Sequence, residues 1–434
     1  MSPSWSRARG ATLGAAAGAL VLLAGALAGR PDVAVLGVAP VLAAAWAWRS
    51  RPSSGVGVAL VDDDEGAQAV PGALHAQLVV ATPAGSDAVL VRVRRGPRAV
   101  RSALLRVDPS SRRRSVPLVV RTVRTGPQTL AEVDVTGVGV AAASVSDTSD
   151  AISRDVLVLP APVPLAALPL PPRLRGLTGA HDSRRPGEGG SLRDVHPFAP
   201  GDRLRRIDWR VTARRSPDLR ELYVRREHAL AEAVVVLVVD SRDDVGPDPT
   251  TWRGSTPPAA GDATSLDIAR QAAASIAQGF LELGDRVGLD DLAAVRRPLP
   301  PGGGRRQLDR IRHALAVSAP VGEPPVRVRA PQLPSGALVV VLSTFLDDGP
   351  AHAAAQWRSA GHRVVAIDTL PELRTRHLGA REQFALRLVR IAREDRLAAL
   401  AGADVEVVAW RRQSAMQLAQ LARRAQRRVG AGAR

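Results

Sequence analysis

The sequence predicts a multi-domain chain in which an N-terminal transmembrane helical hairpin precedes a β-sandwich-like domain and a doubly wound α/β domain. Two adjoining apolar runs before residue 50 predict the hairpin. Short alternating runs between Val56 and Pro160 predict the sandwich. Continuous apolar strands alternating with helical periodicities beyond Ala233 predict the α/β sheet. The segments fall at residues 1–52, 53–160, a Pro/Gly-rich linker at 161–200, and 201–434.

Composition narrows the chemistry. Hydrophobic residues make up 45% of the chain but aromatics only 3%, so its cores rest on Ala, Val and Leu. With no Cys, disulfides, thiolate nucleophiles and Cys-based zinc sites are excluded. All 59 basic residues are Arg, and neither Lys nor Asn occurs, as in a GC-rich coding sequence. Without Lys there is no P-loop and no Schiff-base chemistry. The net charge of +17 reads as a solvated Arg-rich surface drawn to anionic lipid. Four Phe and a single Tyr, Tyr223, offer few platforms for bases, so no nucleic-acid partner is expected.

The hairpin comes first. Ala11–Gly29 is uncharged and apolar, Val33–Trp48 is a second apolar run, and Arg30, Pro31 and Asp32 turn the chain between them. Arg7 and Arg9 precede the first run, while Arg49 and Arg51 follow the second. The positive-inside rule then places both ends, and the bulk of the chain, in the cytoplasm beneath the inner membrane. Ala26-Leu27-Ala28 resembles a signal-peptide cleavage site, but the second apolar run and its basic flank argue against export.

The sandwich follows. Leu74–Val80, Ala88–Val93, Ala103–Val107, Val116–Arg121 and Ala131–Val135 alternate apolar with polar residues and are separated by Gly or Pro. Some seven short strands are expected. The five prolines of 161–172 read as a stiff linker, and Arg173–Gly190 as a loop.

In the α/β segment, Ala233–Val239 is a buried strand ending at Asp240. Ser265 is placed to cap a helix whose stripe is Ala269, Ala273, Ile276, Phe280 and Leu283. Strands at Arg286–Leu292, Ala337–Leu342, Val364–Ile367 and Val405–Trp410 alternate with helices at Gln307–Ala316, His352–Ala360, Arg381–Leu400 and Gln413–Arg428. Arg296–Leu299 turns back against the second strand, and Gly302–Gly304 are turn residues. Ligands of such sheets sit at the carboxyl ends of strands, here Asp240–Asp244 and Ser343–Asp348.

Between linker and sheet lies the densest motif of the chain. Val195-His196-Pro197-Phe198-Ala199-Pro200-Gly201-Asp202 leads into Arg203-Leu204-Arg205-Arg206-Ile207-Asp208-Trp209, then Thr212-Ala213-Arg214 and finally Arg226-Glu227. This segment, 195–227, resembles the signature of the domain of unknown function 58 family: a Pro-Gly-Asp turn, an Arg-x-Ile-Asp-Trp core, a Thr-Ala-Arg step and a later Arg-Glu pair. His196 and Phe198 stand where Arg and Tyr are frequent. The resemblance implies a membrane-anchored protein with a von Willebrand factor A-like α/β domain, working with MoxR-type AAA+ ATPases on the assembly or activation of other complexes. Physically, Asp202 and Asp208 are placed to accept hydrogen bonds from Arg205, Arg206 or Arg214, with Trp209 as an apolar anchor. The cluster either pins the incoming loop to the sheet or forms a docking surface for other proteins.

The same resemblance implies a magnesium site of the pattern Asp-x-Ser-x-Ser after the first strand. Here the loop reads Asp240-Ser241-Arg242-Asp243-Asp244, so the candidate ligands Asp240, Asp243 and Asp244 form a degenerate set with Arg242 in their midst. No other cofactor is expected. The eight His show no His-Glu-x-x-His spacing, and no Gly-x-Ser-x-Gly elbow occurs. The leading expectation is a non-enzymatic, membrane-anchored adaptor. The alternatives are a magnesium-dependent protein-binding domain and a hydrolase of unknown class.

Overall fold

In the computed structural model, residues 5–62, 72–95, 99–108, 110–176, 179–254, 256–293, 297–320, 333–410 and 414–431 are described. Two of the sequence assignments, at Arg296 and Gln413, lie outside them. The chain forms two compact units. Unit 1 comprises residues up to Val123, Pro127–Val156 and Ala259–Gly261; unit 2 comprises Arg124–Gly126, Leu157–Pro258 and Asp262–Arg434.

Unit 1 opens with a three-residue strand, β1 (Trp5–Arg7), too brief to leave a pattern in the sequence. The hairpin follows as α1 (Arg9–Leu27) and α2 (Pro31–Arg49), both long and apolar enough to cross a membrane. Gly29 lies just past the end of α1 at φ +67°, and Pro31 opens α2 with its ring-fixed φ, so three residues reverse the chain. Gly25 meets Ala34, while Gly18 meets Gly37 and Pro40, which sets the helices antiparallel. Their large residues point outward: Leu13, Leu20, Leu36 and Trp46 are all exposed. At the open end of the hairpin the guanidiniums of Arg7 and Arg51 lie 4.6 and 4.7 Å from the centre of the Trp48 ring.

The strands expected of a sandwich are present as β2 (Gly57–Asp62), β3 (Ala73–Ala81), β4 (Ser86–Arg95), β5 (Ala99–Arg106), β6 (Arg113–Arg121), β7 (Gly126–Gly139), β8 (Ser144–Ser146) and β9 (Ile152–Val158). One sheet runs β1-β8-β7-β4-β5 with β9 added to β7; the other is β2-β3-β6. Alternate residues of the two sheets share one core, in which Leu78 and Val80 of β3 meet Val89 and Val91 of β4 and Val133 and Val135 of β7.

Unit 2 holds a six-stranded, mostly parallel sheet. Its elements are β12 (Val234–Val239), α4 (Ser265–Glu282), β13 (Arg286–Asp291), β14 (Leu299–Gly302), α5 (Arg305–Val317), β15 (Leu338–Ser343), α6 (Gly349–Ser359), β16 (Arg363–Asp368), α7 (Ala380–Gly402), β17 (Glu406–Ala409) and α8 (Ser414–Ala431). The order is β14-β13-β12-β15-β16-β17, parallel except for the β14 edge. Strand β12 shows why the fold is doubly wound. Val235, Leu237 and Val239 join the core beneath α4, α5 and α8, whereas Val234, Val236 and Val238 join the core beneath α6 and α7. A strand apolar at every position requires cover on both faces. Succession reverses direction at β12, between β13 on one side and β15 on the other, which leaves a crevice at the carboxyl ends of β12 and β15.

Two expectations are corrected in unit 2. Thr264, not Ser265, caps α4, through a reciprocal box with Asp267. The linker is neither a spacer nor a loop throughout. Leu165, Leu168, Leu170 and Leu174 pack on the α4 face of the sheet, and Leu168 fills the gap left by Gly279. The segment is also hydrogen-bonded there: Val163 N–H donates to Ser275 Oγ at 2.9 Å, and Arg363 donates to the Leu170 carbonyl at 2.8 Å. Beyond it, β10 (His181–Pro197) pairs antiparallel with β11 (Tyr223–Ala231), so the 195–227 segment lies on a two-stranded arm. The register of β10 shifts at Asp182/Pro186, Gly187/Leu192 and Leu192/Asp194, and these bulges absorb its Pro and Gly residues.

Candidate functional site

The signature residues form the end of the arm. Gly201 takes φ +100° in the Pro-Gly-Asp turn, a conformation that requires glycine there. Asp202 closes the turn: its Oδ2 accepts the Ala199 N–H at 2.9 Å, and its own N–H donates to the Ala199 carbonyl at 3.0 Å. His196 lies 3.3 Å and Arg226 3.7 Å from its carboxylate. The Ala199 N–H first, then the charges of Arg226 and His196, hold the Asp202 carboxyl below its ordinary value against the opposing effect of desolvation. Asp208 caps a short helix, α3 (Trp209–Arg215), by accepting the Val211 N–H at 3.0 Å. The helix is fixed to β11 by buried Thr212, whose Oγ1 accepts the Tyr223 N–H at 2.9 Å, and by a bridge between Ile207 and Val224.

This geometry revises the expected clamp. Asp202 and Asp208 take neither Arg205, Arg206 nor Arg214 as partners. Arg203, Arg205 and Arg206 converge instead on Glu188 of β10, with Arg205 at 3.6 Å and Arg206 at 3.4 Å. Asp208 reaches Arg225 at 4.0 Å, and Glu227 stands in β11 opposite Gly187 and Leu192. Ala213 and Arg214 face solvent. Trp209, expected as an apolar anchor, is 61% exposed, and Leu204 is 69% exposed. The reason is local: a seven-residue helix capped by Asp208 and pinned through Thr212 turns its first residue outward. The polar residues of the signature therefore hold the backbone, while Leu204 and Trp209 stand exposed.

The second candidate lies in the crevice at the sheet's carboxyl end. Buried Asp240 accepts Arg242 Nε at 2.8 Å on Oδ1 and Arg242 Nη2 at 3.0 Å on Oδ2. The same Nη2 donates to Asp347 at 2.9 and 3.1 Å. Ser343 Oγ donates to Asp240 Oδ2 at 2.7 Å and accepts the Phe345 N–H. Burial works against the Arg242 charge, yet Asp240 and then Asp347 hold the guanidinium above its ordinary value.

The three expected ligands are not brought together. Asp244 turns toward Arg124 at 3.5 Å and the Leu266 N–H at 3.4 Å. Ser241 donates to Asp291 at 2.6 Å. Asp243 stays near the pair, and burial, then the charges of Asp240 and Asp347, push its carboxyl up. Among the described residues no group of three His, Asp or Glu is placed to hold a metal ion, so the residues do not fit the magnesium site that the resemblance implies. Sequence reasoning also passed over a cavity of about 500 Å³ at the end of β13, lined in part by Asp290, Asp291, Arg297, Asp309, Arg310 and His313. Its lining comes from four separate elements, β12, β13, β14 and α5, and shares no local pattern.

A carboxyl raised in the folded state is a stability term with a definite sign. Stability falls as pH rises from the ordinary carboxylate range toward the raised value, and the penalty is constant above it. Asp243→Asn is expected to raise Tm at pH 7 and to give no gain at a pH below that range. Thermal melts of both proteins across this interval check the prediction; equal gains at both ends would contradict it.

No curated protein gives a significant match to the chain. The span 194–379, which encloses both the end of the arm and the Asp240–Arg242–Asp347 group, matches the family model described as protein of unknown function DUF58.

Proposed function

We propose that the chain is a membrane-anchored, non-enzymatic adaptor that docks another protein through the arm of its α/β unit. The observation that carries this reading is the placement of Trp209 and Leu204, large apolar side chains held out in solvent by a polar framework within the family segment. Trp and Arg are among the residue types that dominate binding energy at interfaces. The α/β unit is read as von Willebrand factor A-like, which its sheet order with an antiparallel edge strand supports. The two apolar helices serve as the anchor in the inner membrane. The arginines at their open end favour a cytoplasmic placement for the body. The partner is taken to be a MoxR-type AAA+ ATPase, as the family resemblance implies.

The test is association of the detergent-purified chain with the purified ATPase. Trp209→Ala combined with Leu204→Ser is expected to weaken it at least about tenfold, while Tm changes little because both side chains are exposed. Association should also survive chelation of divalent ions. Unchanged binding by the double variant would remove the arm from the interface, and loss of binding in chelator would favour magnesium-dependent capture.

A further inference from the structure

Four N–H···O contacts within 3.1 Å run from two nitrogens of one guanidinium to two carboxylates that lie 107 residues apart in sequence, if Asp240 and Asp347 are counted from one to the other. We infer that Arg242 is the resident cation of the sheet end: its guanidinium fills the place between Asp240 and Asp347 that a divalent ion would take, and it closes the crevice to such ions.

The oxygens of the pair are engaged by further donors. Both oxygens of Asp240 are taken by Arg242, and Oδ2 also receives the Ser343 hydroxyl. The Ser343 oxygen is occupied in turn by the Phe345 N–H at 3.0 Å. Asp347 Oδ1 accepts the Gly349 N–H at 2.7 Å. A Cβ at Gly349 would lie 2.9 Å from both Arg242 Nη1 and Asp347 Oδ1, so the start of α6 lies close over the pair. Magnesium demands six oxygens in a near-octahedral shell at about 2.0–2.1 Å. It would have to expel a cation that is covalently tethered and that its two partners keep ionised. The place is therefore filled whatever the ionic composition around the protein. This inference is independent of the arm: it fails if the crevice binds metal, and the adaptor reading fails if Trp209 and Leu204 do not matter.

The experiment is a Mn2+ and Mg2+ titration of the full chain in detergent, read by Mn2+ paramagnetic resonance and by Tm against a chelator reference. Wild type is expected to bind neither ion and to melt at one temperature throughout. R242S removes the tethered charge and leaves Asp240, Asp347 and two hydroxyls around an open place. It is expected to melt lower than wild type in chelator, to recover most of that loss in millimolar Mn2+, and to lose the recovery when combined with D347N. R242K keeps a positive charge and should remain indifferent to Mn2+. Mn2+ binding by wild type overturns the inference. So does an R242S protein that shows no Mn2+ response, whether it is folded or stays unfolded at every Mn2+ concentration.

Discussion

Asp267→Ala is expected to cost about 3–5 kcal/mol, the scale on which breaking a buried ion pair by removing one partner destabilises a protein. Asp267 is buried in the first turn of α4 and serves three groups at once. Its Oδ2 accepts the N–H and hydroxyl of Thr264, each at 2.9 Å, and completes the helix cap. Its Oδ1 accepts the N–H and hydroxyl of Thr125 at 2.6 and 2.7 Å. Arg124 at 2.8 Å and Arg270 at 3.6 Å balance its charge. Loss of the cap alone costs about 1 kcal/mol. The larger part comes from Arg270, which is itself buried: desolvation already lowers its pKa, and without Asp267 the more distant Asp244 is the remaining carboxylate acting on it. Asp267→Asn retains an acceptor for the cap and should cost less than the Ala variant. Chemical denaturation of unit 2, followed through its Trp252 and Trp357, gives the comparison. A cost below about 1 kcal/mol for Asp267→Ala would mean that the network merely decorates a helix cap. A double-mutant cycle with Arg124→Met separates the ion pair from the cap.

The elements that were legible in the sequence are those whose pattern is imposed by burial on a whole face. Val234–Val239 is apolar at every position because both of its faces are covered, and Leu78, Val80, Val89 and Val91 alternate because one face is. The hairpin was legible because both of its helices are apolar all round and exposed on most sides. His181–Pro197 was not legible: its Pro, Gly and charged residues show no period of two, since three register shifts break the alternation. The leucines at 165, 168, 170 and 174 were hidden by the prolines between them, which suggested stiffness rather than contact. At the candidate sites, sequence identified the residues but not their partners. Arg242 stood out as an ill-fitting charge among presumed ligands. That it belongs to Asp347, brought in from the loop after β15, is a fact of sheet topology. Trp209 was legible as an apolar anchor but not which way it faces, because the cap geometry that turns it outward depends on contacts with β11.

Gly37→Leu in the hairpin is expected to cost at least about 3 kcal/mol, at the upper end of overpacking in a tight core. A Cβ at Gly37 would collide with the Gly18 carbonyl and lie 2.5 Å from the Leu22 nitrogen. Backbone, unlike a flexible side chain, cannot yield without separating the helices. Between apolar helices in lipid there is no hydrophobic gain from burying leucine, because the acyl chains are equally apolar; close approach at small residues supplies the attraction. The usual rule of soluble cores is therefore inverted here. Enlarging Gly37 should open the hairpin, whereas trimming the neighbouring, outward-facing Leu36 to Ala should leave its packing intact, since Leu36 is 71% exposed. Because the natural chain has no Cys, single cysteines introduced at Gly29 and Ser53 report topology without background. In sealed cells a membrane-impermeant maleimide should label Gly29→Cys and spare Ser53→Cys in wild type and in the Leu36→Ala protein. In the Gly37→Leu protein this difference should be lost, or the chain should fail to accumulate in the membrane. Labelling of Ser53→Cys in wild type would place the body of the chain on the outer side and overturn the cytoplasmic adaptor reading, since an ATPase that needs cytoplasmic nucleotide could not reach the arm.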